Sequence, residues 1–148
     1  MEARCDDLCI PKMRKAYIGV ESLANKFLKD LELTASQSIA VFALLERQEE
    51  GGELMTQRDL ENYMAMSNPA VTGIVNRLEE KGFIRRVKMG EDHRFNYIEP
   101  TEKSLEMHKK LYPRLVKSED IIFAGFSEEE KKLFCSFMER MTENVAEV

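Results

Sequence analysis

The sequence predicts a mostly helical α+β fold in which a winged helix-turn-helix lies between two helical ends. Three observations carry this. Apolar residues recur at three- and four-residue steps over long stretches, as on the buried side of a helix. A short helical stretch from Thr56 to about Tyr63 is followed by the turn Ala65-Met66-Ser67 and a second helix from Asn68 to Lys81. Two strand-like runs then follow, Phe83–Val87 and Phe95–Ile98, joined by the polar segment Lys88–Arg94 with Gly90 inside it. They form a hairpin with a charged tip, and helix, turn, helix, hairpin is the order of a winged helix-turn-helix.

Each element has its own local reason. Over residues 10–31, Met13, Tyr17, Val20, Ala24, Phe27 and Leu31 make one apolar stripe. Thr34 with Gln37 three residues on is a capping box. The helix it opens contains Ile39-Ala40-Val41-Phe42-Ala43-Leu44-Leu45, apolar nearly all round, and is the expected centre of the core. Gly51-Gly52 ends it. Glu53-Leu54-Met55 predicts a very short strand, and Thr56 caps the next helix with Asp59 in its first turn. Asn68 is the expected N-cap of the following helix, with Pro69 at its first position and Gly82 beyond its end. Phe95 and Tyr97 are expected on one face of the second hairpin strand. A long helix over 101–123 is capped by Thr101, shows Leu105, Tyr112, Leu115, Val116 and Ile122 on its apolar side, and is kinked at Pro113. Ser127 with Glu130 opens the last helix, where Leu133, Phe134, Phe137, Met138, Met141 and Val145 recur.

Composition bounds the function classes. The chain has 148 residues, 43% apolar and 33% charged, enough to bury a core without metal or disulfide. No apolar run approaches the ~20 residues that span a bilayer, and the opening MEARCDDLC is polar, so a cytoplasmic location is expected. Three cysteines give no even disulfide framework. Cys5 and Cys9 lie four apart, either as small inert side chains near a helix start or as a thiol sensor. Two thiols make no structural zinc site, and no metal or cofactor is expected. With two histidines, no H-E-x-x-H and no glycine-rich phosphate loop, an enzyme is not expected.

Charge is uneven. The net charge is −5, yet residues 67–98 hold six cations (Arg77, Lys81, Arg85, Arg86, Lys88, Arg94) against four acids, a local +2 that leaves −7 for the rest. An acidic body with a basic tip suits local docking on DNA. On the second short helix, Val71, Ile74, Val75 and Leu78 form one buried face. Pro69, Thr72, Gly73, Asn76 and Arg77 project on the other, which is small and polar near its start and suits a major groove. Asn76 offers a donor and an acceptor to an adenine edge, and Arg77 can fork onto guanine or clamp a phosphate. Thr72 can bond a base, Gly73 lets the backbone approach closely, and Ser67 and Asn68 sit where main-chain N–H groups meet phosphate. At the hairpin tip, Arg94 can enter a narrow minor groove with Asp92 orienting it, flanked by Lys88 and His93.

These residues also resemble a known family. Leu33-Thr34-x-x-Gln37, Leu60, Leu78-Glu79-Glu80-Lys81-Gly82-Phe83-Ile84-x-Arg86 and Asp92-x-Arg94 are similar, in order and spacing over about residues 33–103, to the multiple-antibiotic-resistance regulator (MarR) family. The resemblance implies a homodimer built from the terminal helices, with residues 1–33 and 101–148 as dimerisation helices and 34–100 as the DNA-binding domain. It implies a transcriptional regulator, commonly a repressor, that binds a palindromic double-stranded operator and responds to a small aromatic or anionic ligand. It assigns the recognition helix to Ser67–Lys81 and the wing roles to Asp92 and Arg94. Three departures are Glu61 for the family's alanine, Ala65 for its turn glycine, and Pro100-Thr101-Glu102-Lys103-Ser104 where it has leucine-threonine-x-x-glycine.

Apart from the resemblance, Phe134, Phe137, Met138, Met141, Leu111 and Leu115 are more apolar surface than a small winged domain buries, which favours a two-fold helical interface over an intrachain bundle. An effector cleft between the dimer helices and the winged part could be lined by Met13, Tyr17, Met64 and Met66, although core packing is the favoured role of each. Two other readings stay open: a thiol- or oxidant-sensing regulator of the same fold, and a protein-interaction module that has lost DNA binding.

Overall fold

The computed structural model describes residues 8–89 and 95–146. Within them the helices are α1 (Cys9–Leu28), α2 (Ala35–Glu49), α3 (Gln57–Met64), α4 (Asn68–Glu80), α5 (Glu102–Ile122) and α6 (Glu128–Ala146), with a 3-10 turn at Lys29–Leu31. The strands are β1 (Met55–Thr56), β2 (Ile84–Val87) and β3 (Tyr97–Pro100). The architecture is the mostly helical winged helix-turn-helix that the sequence predicts. The chain divides into two compact units between Leu115 and Val116.

In the first unit, α2 supplies the centre of the core as expected. Its capping box forms: Gln37 N–H donates to Thr34 Oγ1 and Thr34 N–H to Gln37 Oε1, each at 3.3 Å. Ala40, Val41, Ala43, Leu44 and Leu45 are buried, whereas Ile39 points outward. Against them pack Leu60 of α3, Val71, Val75 and Leu78 of α4, Ile84, Ile98, and Met107 and Leu111 of α5. Arg114 of α5 grips the end of α1, donating to the Phe27 carbonyl at 2.7 Å and forking onto the Asp30 carboxylate, which it holds below the ordinary aspartate range.

The sheet is antiparallel with order β1-β3-β2, and Ile98 is its buried pivot, opposite Met55 on one side and Arg86 on the other. Strand β3 runs two residues later than the alternation suggested. Phe95 therefore lies outside it, exposed, and does not share a strand face with Tyr97. The shift is possible because Pro100 faces only β2; β1 reaches no further than Ile98, so no neighbour needs the N–H that proline lacks.

Two expectations for α5 are corrected. Thr101 does not cap it with its side chain. Its hydroxyl instead lies within donating distance of the Gly82 and Phe83 carbonyls, at 2.7 and 3.0 Å, and Ser104 Oγ donates to Phe83 at 2.6 Å. These bonds fix the rotation of the helix. The row Ser104, Met107, Leu111 turns inward, while Leu105, Tyr112 and Val116 are exposed. Both rows carry apolar residues, so periodicity alone could not choose between them. Leu111, expected at a dimer surface, is a core residue.

In the second unit, Ser127 and Glu130 form the expected capping box, at 2.8 and 3.2 Å. Phe123 stacks edge-to-face on Phe126 and Phe134. Helix α6 nevertheless buries none of its residues: Leu133, Phe134, Phe137 and Met138 are 42–53% exposed. Among the described residues no helix is long and apolar enough to cross a membrane.

Candidate nucleic-acid interface

The helix-turn-helix is set by a side-chain cap at the start of α3 and by backbone closures at the ends of α3 and α4. Thr56 and Asp59 cap α3 reciprocally: the threonine N–H and hydroxyl donate to Asp59 Oδ2 at 2.8 and 2.7 Å, and Asp59 N–H returns a bond to Thr56 Oγ1 at 3.2 Å. The hydroxyl and amide together hold the Asp59 carboxyl below the ordinary aspartate range. Helix α3 closes on Ala65, which adopts a left-handed conformation (φ 50°) so that Met66 N–H reaches the Glu61 carbonyl at 3.2 Å.

Helix α4 starts one residue earlier than expected. Ser67 is its N-cap, Asn68 its first residue and Pro69 its second. Asn68 is itself helical, and its side-chain amide is turned back to α3, donating to Glu61 Oε1 at 2.5 Å. At the far end, the run Leu78-Glu79-Glu80-Lys81-Gly82-Phe83 builds a Schellman closure. Gly82 (φ 76°) donates to Glu79 and Phe83 to Leu78, each at 2.9 Å, and the Leu78 and Phe83 side chains are both buried. This closure delivers the chain directly into β2.

Between those caps, the two faces of α4 separate as its wheel predicts. Val71, Ile74, Val75 and Leu78 are buried. Ser67, Asn68, Pro69, Asn76 and Arg77 are exposed, and Thr72 and Gly73 are half-buried. A Cβ added at Gly73 would meet nothing within 4 Å, so the backbone there is open to close approach. Among the described residues Arg77 has no ion-pair partner, which leaves its guanidinium available to an anion. Of the wing positions, Lys88 is exposed just beyond β2, while Asp92, His93 and Arg94 lie outside the described residues.

Two outer residues are less free than their types suggested. Thr72 Oγ1 accepts from Gln57 Nε2 at 2.7 Å, and Asn76 Oδ1 accepts from Arg86 Nη2 at 2.6 Å. Asn76, expected to offer a donor and an acceptor to adenine, thus has its NH2 open and one lone pair of its oxygen already engaged by Arg86. Gln57, Glu61 and Arg86 were not singled out as site residues in the sequence. Glu61 did leave a signal, as a carboxylate beside the buried Leu60 on a helix of only eight residues.

The remaining expected sites are dispersed. Met13 and Tyr17 are exposed on α1, and Met64 and Met66 pack half-buried against the core. Met66 also lines a cleft of about 470 Å³ with Glu61, Ser67 and Asn68, at the start of α4. Cys9 is an exposed free thiol, as is Cys135, and Cys5 lies outside the described residues. No three His, Cys, Asp or Glu side chains among the described residues gather as they would around a metal ion.

The same fold occurs in known proteins. Residues 31–94 match the MarR family. An uncharacterised HTH-type transcriptional regulator of Bacillus subtilis (strain 168), YwoH, is 31% identical over 80 residues, a little over half of each chain (54% of this one and 58% of that). Among solved structures, BpsR of Bordetella bronchiseptica superposes with a TM-score of 0.86 at 17% identity, covering 96% of this chain and 98% of that one. The MepR–DNA complex of S. aureus superposes with a TM-score of 0.81 at 20% identity, covering 97% and 99%. The family match is thus seated on the helix-turn-helix and β2, and the fold is that of these solved structures over nearly the whole length.

Proposed function

We propose that the protein is a sequence-specific DNA-binding transcriptional regulator that acts as a homodimer on a palindromic operator. The observation that carries this is the division of α4. One face is locked into the core by four apolar side chains, and the other turns Ser67, Asn68, Pro69, Asn76 and Arg77 to solvent beside the strand that leads to Lys88. The start of a helix favours phosphate, and the outer side chains suit base edges. The fold is that of MepR, which has been solved on DNA. Asp92, His93 and Arg94 are assigned to the minor-groove contact of the wing. The exposed apolar residues of α6 supply surface for a second copy, and those of α1, in the other unit, do so separately.

The regulator is a repressor released by a small aromatic or anionic ligand. Support for ligand control comes from the shared fold of BpsR, whose DNA binding is regulated by 6-hydroxynicotinic acid. Selection of bound duplexes from random DNA tests the whole reading. It should return a palindrome with half-sites about 10 bp apart or a multiple of that. Affinity for it should fall steeply between 50 and 200 mM salt. Recovery of unenriched DNA, or affinity indifferent to salt, would overturn it.

A further inference from the structure

On the geometry of strand β2 and helix α4, we infer that Arg86 is a positioning residue for base readout, pinning Asn76 in one amide orientation so that its NH2 group, not its oxygen, is what it offers DNA. This rests on the DNA-binding reading above and adds to it which base edges that position accepts. Arg86 is held at three points. Its backbone N–H donates to Glu79 Oε1 at 3.1 Å, its Nη1 pairs with Glu79 Oε2, and its Nη2 donates to Asn76 Oδ1 at 2.6 Å. Glu79 and Asn76 lie three apart on α4 and so stand side by side on the helix surface. The planar guanidinium spans both with its two arms, which the single ammonium of a lysine does not match.

A side-chain amide can ordinarily rotate end for end, presenting oxygen or nitrogen outward. Arg86 removes that choice. A guanidinium has donors only, so the oxygen of Asn76 must face it and the nitrogen must face away. Adenine read by both ends of an asparagine needs the oxygen to accept from N6 while the nitrogen donates to N7. Here one of that oxygen's two lone pairs is held by a cation that stays in place, whose positive charge disfavours a second N–H donor on the other. The free NH2 suits edges that only accept: N7 and O6 of guanine, or O4 of thymine. Thr72 points the same way. Its oxygen already accepts from Gln57 on one lone pair, so its O–H is the readier group to offer, and Arg77 beside them is a donor throughout. The outer face of α4 from Thr72 to Arg77 is therefore set for acceptor-rich edges.

The test is base preference at the position under Asn76, measured by selection from random duplexes for the wild type, Arg86→Lys, Asn76→Ala and the double variant, with unfolding midpoints recorded for each. The wild type should prefer guanine or thymine there. Arg86→Lys retains an ion pair to Glu79 but frees the amide, so the preference should flatten or move toward adenine at that position alone. Asn76→Ala should abolish the preference, and Arg86→Lys should then change it no further. A merely structural role for Arg86 would lower the midpoint and weaken all sequences alike, leaving the base preference intact, and that result would overturn the inference. An adenine preference in the wild type, or one unmoved by Asn76→Ala, would overturn it as well. No sequence preference at all in the wild type would overturn the proposed function and this inference with it.

Discussion

Asn68 donates its side-chain amide to Oε1 of Glu61 across 2.5 Å, so the first residue of α4 is tied back to the middle of α3. The same oxygen receives Gln57 Nε2 at 3.3 Å, and Gln57 goes on to bond Thr72. One nearly buried carboxylate thus braces both ends of the turn. Bonds to a charged group are worth ~1.5–3 kcal/mol against ~0.5–1.5 for neutral ones. Glu61→Gln, which keeps the shape and one oxygen, should therefore cost about 1 kcal/mol and lower the thermal midpoint by roughly 2–4 °C. A midpoint that holds or rises would mean that desolvating the charge cancels what its bonds return.

Ala65 offers a gain. Its φ of 50° lies in the left-handed region, where a side chain costs ~1–2 kcal/mol. Glycine there gives back ~0.5–1 kcal/mol through its freer unfolded chain. Ala65→Gly should stabilise the protein by about 0.5–1 kcal/mol, and Ala65→Val should destabilise it by more. Denaturant midpoints with unchanged slopes would read both; a glycine variant less stable than the parent would refute the strain.

Ala65 and Glu61 also show how much was legible beforehand. Caps and buried faces follow from nearest-neighbour chemistry, so Thr34, Thr56, Gly82 and the row Val71, Ile74, Val75, Leu78 were readable as written. What was not readable depended on a partner distant in sequence. Asn68 is turned to Glu61, seven residues back, and Thr101 to Gly82 and Phe83. That second tie chose which side of α5 faces in. The exposed side of α4 was readable too, but not that Arg86 and Gln57 had already taken an oxygen each from Asn76 and Thr72. Pattern gives the direction of a side chain; it does not say what meets it there.

The capping box of α3 makes a pH prediction. The Thr56 hydroxyl, then its N–H, hold the Asp59 carboxyl below its ordinary value of 3.8. The folded state thus favours the charged form. Its contribution is complete above the unfolded pKa and is lost as pH falls through the depressed folded value. Asp59→Asn has no such titration. The wild type should be more stable than Asp59→Asn at pH 7, and the gap should close as pH drops below about 3.8. Asp30 and Glu99, also depressed by arginine partners, titrate in both proteins and cancel in the difference. A gap of constant size from pH 7 to below that range would show that the carboxylate owes nothing to its charge. Thr56→Ala, for comparison, should cost about 1 kcal/mol at neutral pH.

The exposed face of α6 sets the last prediction. Leu133, Phe134, Phe137 and Met138 leave 53, 44, 47 and 42% of their surfaces in solvent, and no residue of that helix is buried. Four large apolar side chains on one helix are a cost to a monomer and a gain to a two-fold interface, where each residue is used twice. The wild type should sediment at twice its 17.2 kDa chain mass at micromolar concentration. Phe137→Glu places a charge where the partner would cover it, so this variant should sediment at the single mass while its far-ultraviolet dichroism stays helical. Because two recognition helices are needed to hold two half-sites, the same variant should footprint one half-site weakly or none. A wild type that is monomeric when bound to a full palindrome, or a Phe137→Glu variant that remains dimeric, would remove α6 from the interface and return those side chains to an unexplained surface.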